Sequence, residues 1–305
     1  MAGFLLRRLG VAIPTLLAVI TLSFFMMHAA PGSPFASARK LPPEVERNMR
    51  ARYGLDLPVG EQYLRYLGGA VRGDLGPSLK YPGKSVSKII GQGLPTSLKL
   101  GVAALVCGTV LGVALGVAAA LRRRREADHL ATVAVLAGLG LPSFVTAPLL
   151  VLVFAAWLGW LPTAGLAGPE SLILPVAVLT LPLLASVSRL TRAGMAEALR
   201  SNAVRTARAQ GLSRTTVVLR YALPQATLPL VSILGPAAAG LLTGSLVVEQ
   251  LFGLPGVGKA FVLSALQRDY TVVLGVVILY AALILVLNLL ADLLYAALDP
   301  RVKLA

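Results

Sequence analysis

RRLGVAIPTLLAVITLSFFMMHAA, residues 7–30, opens on two arginines and then runs from Leu9 to Met27 without a charged side chain. A helix needs roughly 20 apolar residues to cross about 30 Å of hydrocarbon, and this run supplies them. The arginine pair and the small residues Ala29 and Ala30 imitate a secretory signal, but a signal core holds only about 7–15 apolar residues. The stretch therefore reads as a retained membrane anchor. Arg7 and Arg8 predict that the N-terminus is cytoplasmic, because basic residues beside a span stay preferentially on that side.

Similar runs recur near residues 100–121, 130–157, 172–189, 226–248 and 272–294, which predicts an all-α integral membrane protein with six transmembrane helices. Composition agrees: 56% of the 305 residues are hydrophobic and 13% charged, against about 25% charged in a soluble domain. The formal charge of +15 could point to nucleic acid, but only 6% of residues are aromatic, and long apolar runs separate the basic residues instead of leaving them on one face. A single cysteine, Cys107, excludes an internal disulfide. His28 and His129 lie far apart without a Cys or carboxylate cluster, so no metal-ligand spacing exists.

Six spans with a cytoplasmic N-terminus place 122–128, 189–221 and the C-terminus inside as well. These segments carry RRRR at 122–125, seven arginines from Arg189 to Arg220, and Arg301 with Lys303. Residues 30–99 then lie outside despite eleven Lys and Arg, which is permitted because the charge rule weakens for loops beyond about 60 residues. The expected organisation is a tail and first helix over 1–29, an extracytoplasmic insertion over 30–99 that forms a small folded cap, and a five-helix core over 100–305 containing a cytoplasmic loop at 190–224.

GLPGVGKA, Gly253 to Ala260, comes within one residue of the phosphate-binding loop G-x-x-x-x-G-K-[ST]. Its last position is Ala260, which has no oxygen for magnesium, and the predicted topology turns the loop away from cytoplasmic ATP. It reads as a tight re-entrant turn between LVVEQLF and AFVLSALQRDY. Within the spans, Gly108, Gly112 and Gly116 form a small-residue stripe suited to close helix approach. Pro142, Pro148, Pro175, Pro182, Pro229 and Pro236 permit kinks. An ion-coupled carrier keeps charges at mid-membrane, whereas here Asp292, Asn288 and Glu249 fall near span ends. Energy is therefore expected to enter from another subunit. No Ser, His and Asp set falls together on one predicted membrane face, so no hydrolase is read.

The long inside loop reads RLTRAGMAEALRSNAVRTARAQGLSRTTVVLRYALPQATLP, residues 189–229. Met195, Ala196, Leu199, Ala203 and Val204 recur at helical spacing, with arginines over much of the remainder. Gly211 is expected to end one helix, Ser213 to cap the next and Pro224 to close it. The bland reading is a basic helix pair on the lipid surface.

RTARAQG, nine residues and then YALP resembles the E-A-A-x-x-x-G-x(9)-I-x-L-P loop of binding-protein-dependent ABC importer permeases. Arg205 and Thr206 stand where that pattern has Glu and Ala, and Tyr221 stands for Ile; the form RTARAxGL is similar to the peptide-transporting branch. LPPEV, YLRYLGG, GDLGPSLKY, LPSFV, GSLVVEQLFGLPGVGK, RDY and DLLYAALDPR follow the order of B-type permease subunits of oligopeptide importers, so the resemblance covers the whole chain. It implies a non-catalytic subunit of the bacterial cytoplasmic (inner) membrane. Implied partners are a second homologous permease subunit, two cytoplasmic ATPase subunits that bind Mg-ATP, an extracytoplasmic peptide-binding protein, the peptide and membrane lipid. No cofactor in this chain and no nucleic acid are implied.

By the same resemblance, Arg205, Thr206, Ala207, Arg208, Gly211, Leu223 and Pro224 belong to a coupling helix and loop that dock on an ATPase. Ser143 and Phe144 beside Pro142, and Glu249 at the outer mouth, are candidates for the translocation pathway. Alternative cargoes are dipeptides, glutathione or nickel. Rivals from other classes are an ion-coupled carrier and a membrane NTPase.

Overall fold

The computed structural model describes residues 2–29, 43–121 and 141–298. It is helical, and five helices among the described residues are long and apolar enough to cross a membrane: Leu6–Ala29, Val86–Leu121, Pro169–Ala198, Arg214–Leu251 and Tyr270–Leu294. Of the expected third span, 130–140 lie outside the described residues. Its remainder is α5 (Ser143–Leu150), which continues as a π-helical segment at Val151–Trp157. Two compact units emerge, one from residues 1–97 with 254–285 and one from 98–253 with 286–305.

In the first unit α1 (Ala2–Ala29) is followed by two short helices of the insertion, α2 (Pro43–Arg52) and α3 (Val59–Val71). The end of α1 is covered by α3. Tyr63 Oη lies 2.8 Å from Thr21 Oγ1, His28 Nε2 lies 3.1 Å from Gln62 Oε1, and the Tyr63 ring meets Phe24 edge-on at 5.4 Å. Ile20 and Phe24 are buried, Phe24 beneath the rings of α3. Tyr66, further along α3, loses its hydration in this packing, and burial pushes its phenol well above the usual range.

The second predicted run, 100–121, is the later part of a longer helix, α4 (Val86–Leu121). Its first turns pack on α10 (Val257–Gln267). A Cβ on Gly93 would stand 2.8 Å from the Gly256 carbonyl carbon and 2.7 Å from the Val257 nitrogen, so only glycine allows this approach. Ser97 Oγ accepts from the Val257 amide at 2.9 Å. That amide belongs to the stretch resembling a phosphate loop, and it is already used inside the protein.

In the second unit the glycine stripe of α4 faces α6 (Ile173–Ala198). A Cβ at Gly108, Gly112 or Gly116 would come within 2.9 Å of Leu183, 2.8 Å of Val187 or 2.6 Å of Ser188, as small residues at steps of four predict. The α6 helix continues nine residues beyond the predicted end of its span, so Met195 and Ala196 belong to it rather than to a separate loop helix. After α7 (Asn202–Ala209) and α8 (Arg214–Thr216), a π-helical segment at Val217–Ala222 leads into α9 (Leu223–Leu251). Pro224 therefore does not close a helix. It sits in the first turn of α9, where a missing amide is tolerated, and the wider π turn before it makes room for the ring. The last helix, α11 (Tyr270–Leu298), begins in the first unit and ends in the second.

Candidate functional site

The basic segment after α6 is built around α7. Ser201 caps it, its hydroxyl accepting from the Val204 amide at 3.4 Å. Val204 and Ala207, one turn apart, are buried in a cluster with Ala120, Met195, Ala198, Val217 and Ala222. Arg205, Thr206 and Arg208 point outward and are exposed. The helix is thus anchored by one small apolar face and presents a short basic one.

Its end is fixed by Gly211, whose φ is +77°. The Gly211 amide donates to the Arg208 carbonyl at 3.0 Å and the Leu212 amide to the Ala207 carbonyl at 3.3 Å. These two bonds are the Schellman closure, and glycine reaches its left-handed corner without steric cost. Ser213 then caps α8 through the Thr216 amide at 3.3 Å, as the sequence predicts. Two helices are held around one exposed corner by a serine cap on each and the closing bonds at Gly211.

The structure brings Arg205, Thr206, Arg208 and Gly211 together at this corner. Ala207 is turned inward as part of the anchor. Leu223 packs against the same buried cluster, while Pro224 is exposed at the start of α9. The pathway candidates are not gathered with them. Ser143 opens α5, and Phe144 beside it is 60% exposed. Glu249 is fully buried near the end of α9, where its carboxylate accepts from Ser245 Oγ at 2.8 Å.

Two side chains that matter here carry no role in the sequence reading. Arg214, first residue of α8, lines a cleft together with Arg208. Asp269, inside the quoted RDY, is fully buried and caps α11; an Asp directly ahead of an apolar helical run is the signal that would have found it. Among the described residues no group of His, Cys, Asp and Glu could hold a metal ion.

Comparison with known proteins accounts for nearly the whole chain. Residues 112–304 match the family described as binding-protein-dependent transport system inner membrane component, and residues 1–100 match the N-terminal component of such systems. The oligopeptide transport system permease protein OppB of Haemophilus influenzae is 47% identical over 305 residues, 99% of this chain and 100% of that protein. OppB of Escherichia coli K12 is 48% identical over the same span. The dipeptide transport system permease protein DppB of Bacillus subtilis is 40% identical over 304 residues, 100% of this chain and 99% of that protein. Among solved structures, an inward-facing MetNI methionine ABC transporter superposes with a TM-score of 0.59 at 17% identity, covering 69% of this chain and 96% of that one. At that identity the likeness speaks for the fold alone. Over its full length, this chain belongs to the family of binding-protein-dependent transport system inner membrane components.

Proposed function

We propose that this chain is the membrane-spanning permease subunit of an ATP-driven importer that carries oligopeptides across the bacterial inner membrane. The observation that carries the reading is the corner at Gly211: an anchored helix whose outward Arg205, Thr206 and Arg208 belong to a turn of fixed geometry. Such a corner moves as one piece when pushed. ATP hydrolysis, with Mg-ATP, belongs to two partner ATPase subunits that seat on it, and a second homologous permease subunit completes the pathway. A peptide-binding protein delivers cargo from outside, and this chain performs no covalent chemistry.

By this reading the termini and the Gly211 corner face the cytoplasm, and residues 30–99 face outward. Ser143, Phe144 and Glu249 remain the candidate pathway residues. Full-length similarity to proteins named for oligopeptide transport supports that cargo over dipeptides, since the identity to the dipeptide relative is lower.

The test is uptake of labelled di-, tri- and pentapeptides and of nickel by cells lacking the chain, with the gene restored as control. Loss of tri- and pentapeptide entry is expected. Loss confined to dipeptides or nickel would move the chain to a sister branch. A Gly211→Asp variant places a side chain at φ +77° and a negative charge at the corner; it is expected to insert normally and to abolish uptake, and normal uptake by it would overturn the coupling role.

A further inference from the structure

Behind the Gly211 corner lies a cleft of about 430 Å³. Its apolar wall is formed by Ala120 and Leu121 at the end of α4 and by Val217 and Val218 before α9, and its rim carries Arg208 and Arg214. The two arginines stand on either side of the turn, one in the last turn of α7 and one opening α8. Both are exposed, and among the described residues neither guanidinium has a carboxylate partner. The only acidic residue between Arg189 and Pro229 is Glu197.

The cleft lies where two long apolar helices end. Leu121 is the last residue of the Val86–Leu121 span, and the chain passes directly to Arg122 and its three following arginines. Val217 and Val218 lie in the first turns of the Arg214–Leu251 span. The apolar wall therefore stands at the ends of two candidate spans, with the two guanidiniums on its rim. Guanidinium forks match phosphate oxygens in geometry and charge. A site that joins them to an apolar wall recognises a phosphate attached to hydrocarbon rather than a phosphate alone.

We propose that this cleft binds an anionic phospholipid of the inner leaflet, its phosphate between Arg208 and Arg214 and the first part of its acyl region against Leu121 and Val218. The occupied cleft braces the coupling corner from behind, so transport depends on anionic lipid. The cytoplasmic placement and the coupling role rest on the function proposed above; the binding itself does not.

The complex, purified with its partner subunits, is reconstituted in phosphatidylglycerol with phosphatidylcholine or in phosphatidylcholine alone, and lipid retained after detergent exchange is weighed by native mass spectrometry. Phosphatidylglycerol retention is expected to fall about fivefold for each arginine removed in Arg214→Gln and in the double variant Arg208→Gln with Arg214→Gln. Arg220→Gln, which removes an equal charge outside the cleft, is expected to leave it unchanged. Equal losses in Arg220→Gln and Arg214→Gln would reduce the effect to surface charge and overturn the site. Displacement of phosphatidylglycerol by millimolar inorganic phosphate would show that phosphate alone is read, which also overturns it. Unchanged lipid retention with loss of the ATPase subunits from the Arg214→Gln complex would assign the cleft to an acidic protein surface instead. Failure of peptide uptake in wild type would count against the proposed function and leave the lipid measurement standing.

Discussion

Asp269 is fully buried, yet its carboxylate is surrounded by donors: Ser78 Oγ, the Leu79 amide at 3.1 Å and the Lys80 amide at 3.3 Å, with the Thr271 hydroxyl shared between it at 3.0 Å and the Pro77 carbonyl at 2.7 Å. A buried carboxylate is tolerated only when its lone pairs are used in this way. It ties the loop at 77–80 to the first turn of α11, and Arg268 before it is held at φ +60°, a left-handed corner costing a residue with a side chain roughly 1–2 kcal/mol. Asp269→Asn turns an amide NH2 toward groups that are themselves donors and removes the charge that strengthens their bonds. Expected is a loss of about 2–3 kcal/mol, read as a lower thermal unfolding midpoint in detergent and as faster proteolysis within residues 73–85. Thr271→Val, which removes the hydroxyl shared between Asp269 and the Pro77 carbonyl, is expected to cost about 1 kcal/mol. A smaller effect for Asp269→Asn than for Thr271→Val would contradict the account. Sequence alone brings RDY and GDLGPSLKY into one family pattern, but that Ser78 and Asp269 meet depends on contacts far apart in the chain.

At the scale of an element, α4 shows what periodicity reveals and what it hides. Gly108, Gly112 and Gly116 are legible as a packing stripe, because three small residues at steps of four mark one helix face whatever they touch. Their partner was not legible, and the structure supplies α6. The start of α4 was hidden for a different reason. VSKIIGQGLPTSLK, residues 86–99, carries two glycines, Pro95 and two lysines, and so falls in the expected insertion rather than in the span; Gly93 is nevertheless required where α4 meets the backbone of Gly256 and Val257. A further prediction ranks glycines along α4. At Gly101 a Cβ would meet the far end of the Leu242 side chain at 2.7 Å, which can rotate away, whereas at Gly116 it would meet the Ser188 carbonyl oxygen at 2.6 Å, which cannot. Gly101→Ala is expected to be near neutral, and Gly116→Ala to cost about 1–3 kcal/mol through overpacking. Unfolding midpoints of the two purified variants decide this, and equal midpoints would mean that α4 and α6 slide apart without cost.

For the whole molecule, the membrane class and most of the spans follow from apolar run length, because lipid requires a continuous apolar helix and so writes itself plainly into the sequence. The Gly211 corner was legible too, since glycine at a left-handed position and serine at a cap are local requirements. The surroundings of Glu249 were not: a carboxylate near a span end looks the same in sequence whether it is exposed or, as here, buried with Ser245 Oγ donating to it. Sidedness rests on arginine distribution, and it decides whether the corner can meet an ATPase. With Cys107→Ala as background, Lys84→Cys and Thr215→Cys each place one thiol at an exposed position. The positive-inside argument expects an impermeant maleimide to label the Lys84→Cys variant on intact spheroplasts and the Thr215→Cys variant only after permeabilisation. The reverse pattern would put seven arginines from Arg189 to Arg220 outside. The corner would then be out of reach of any ATP-hydrolysing partner, and the proposed coupling would fall with the topology.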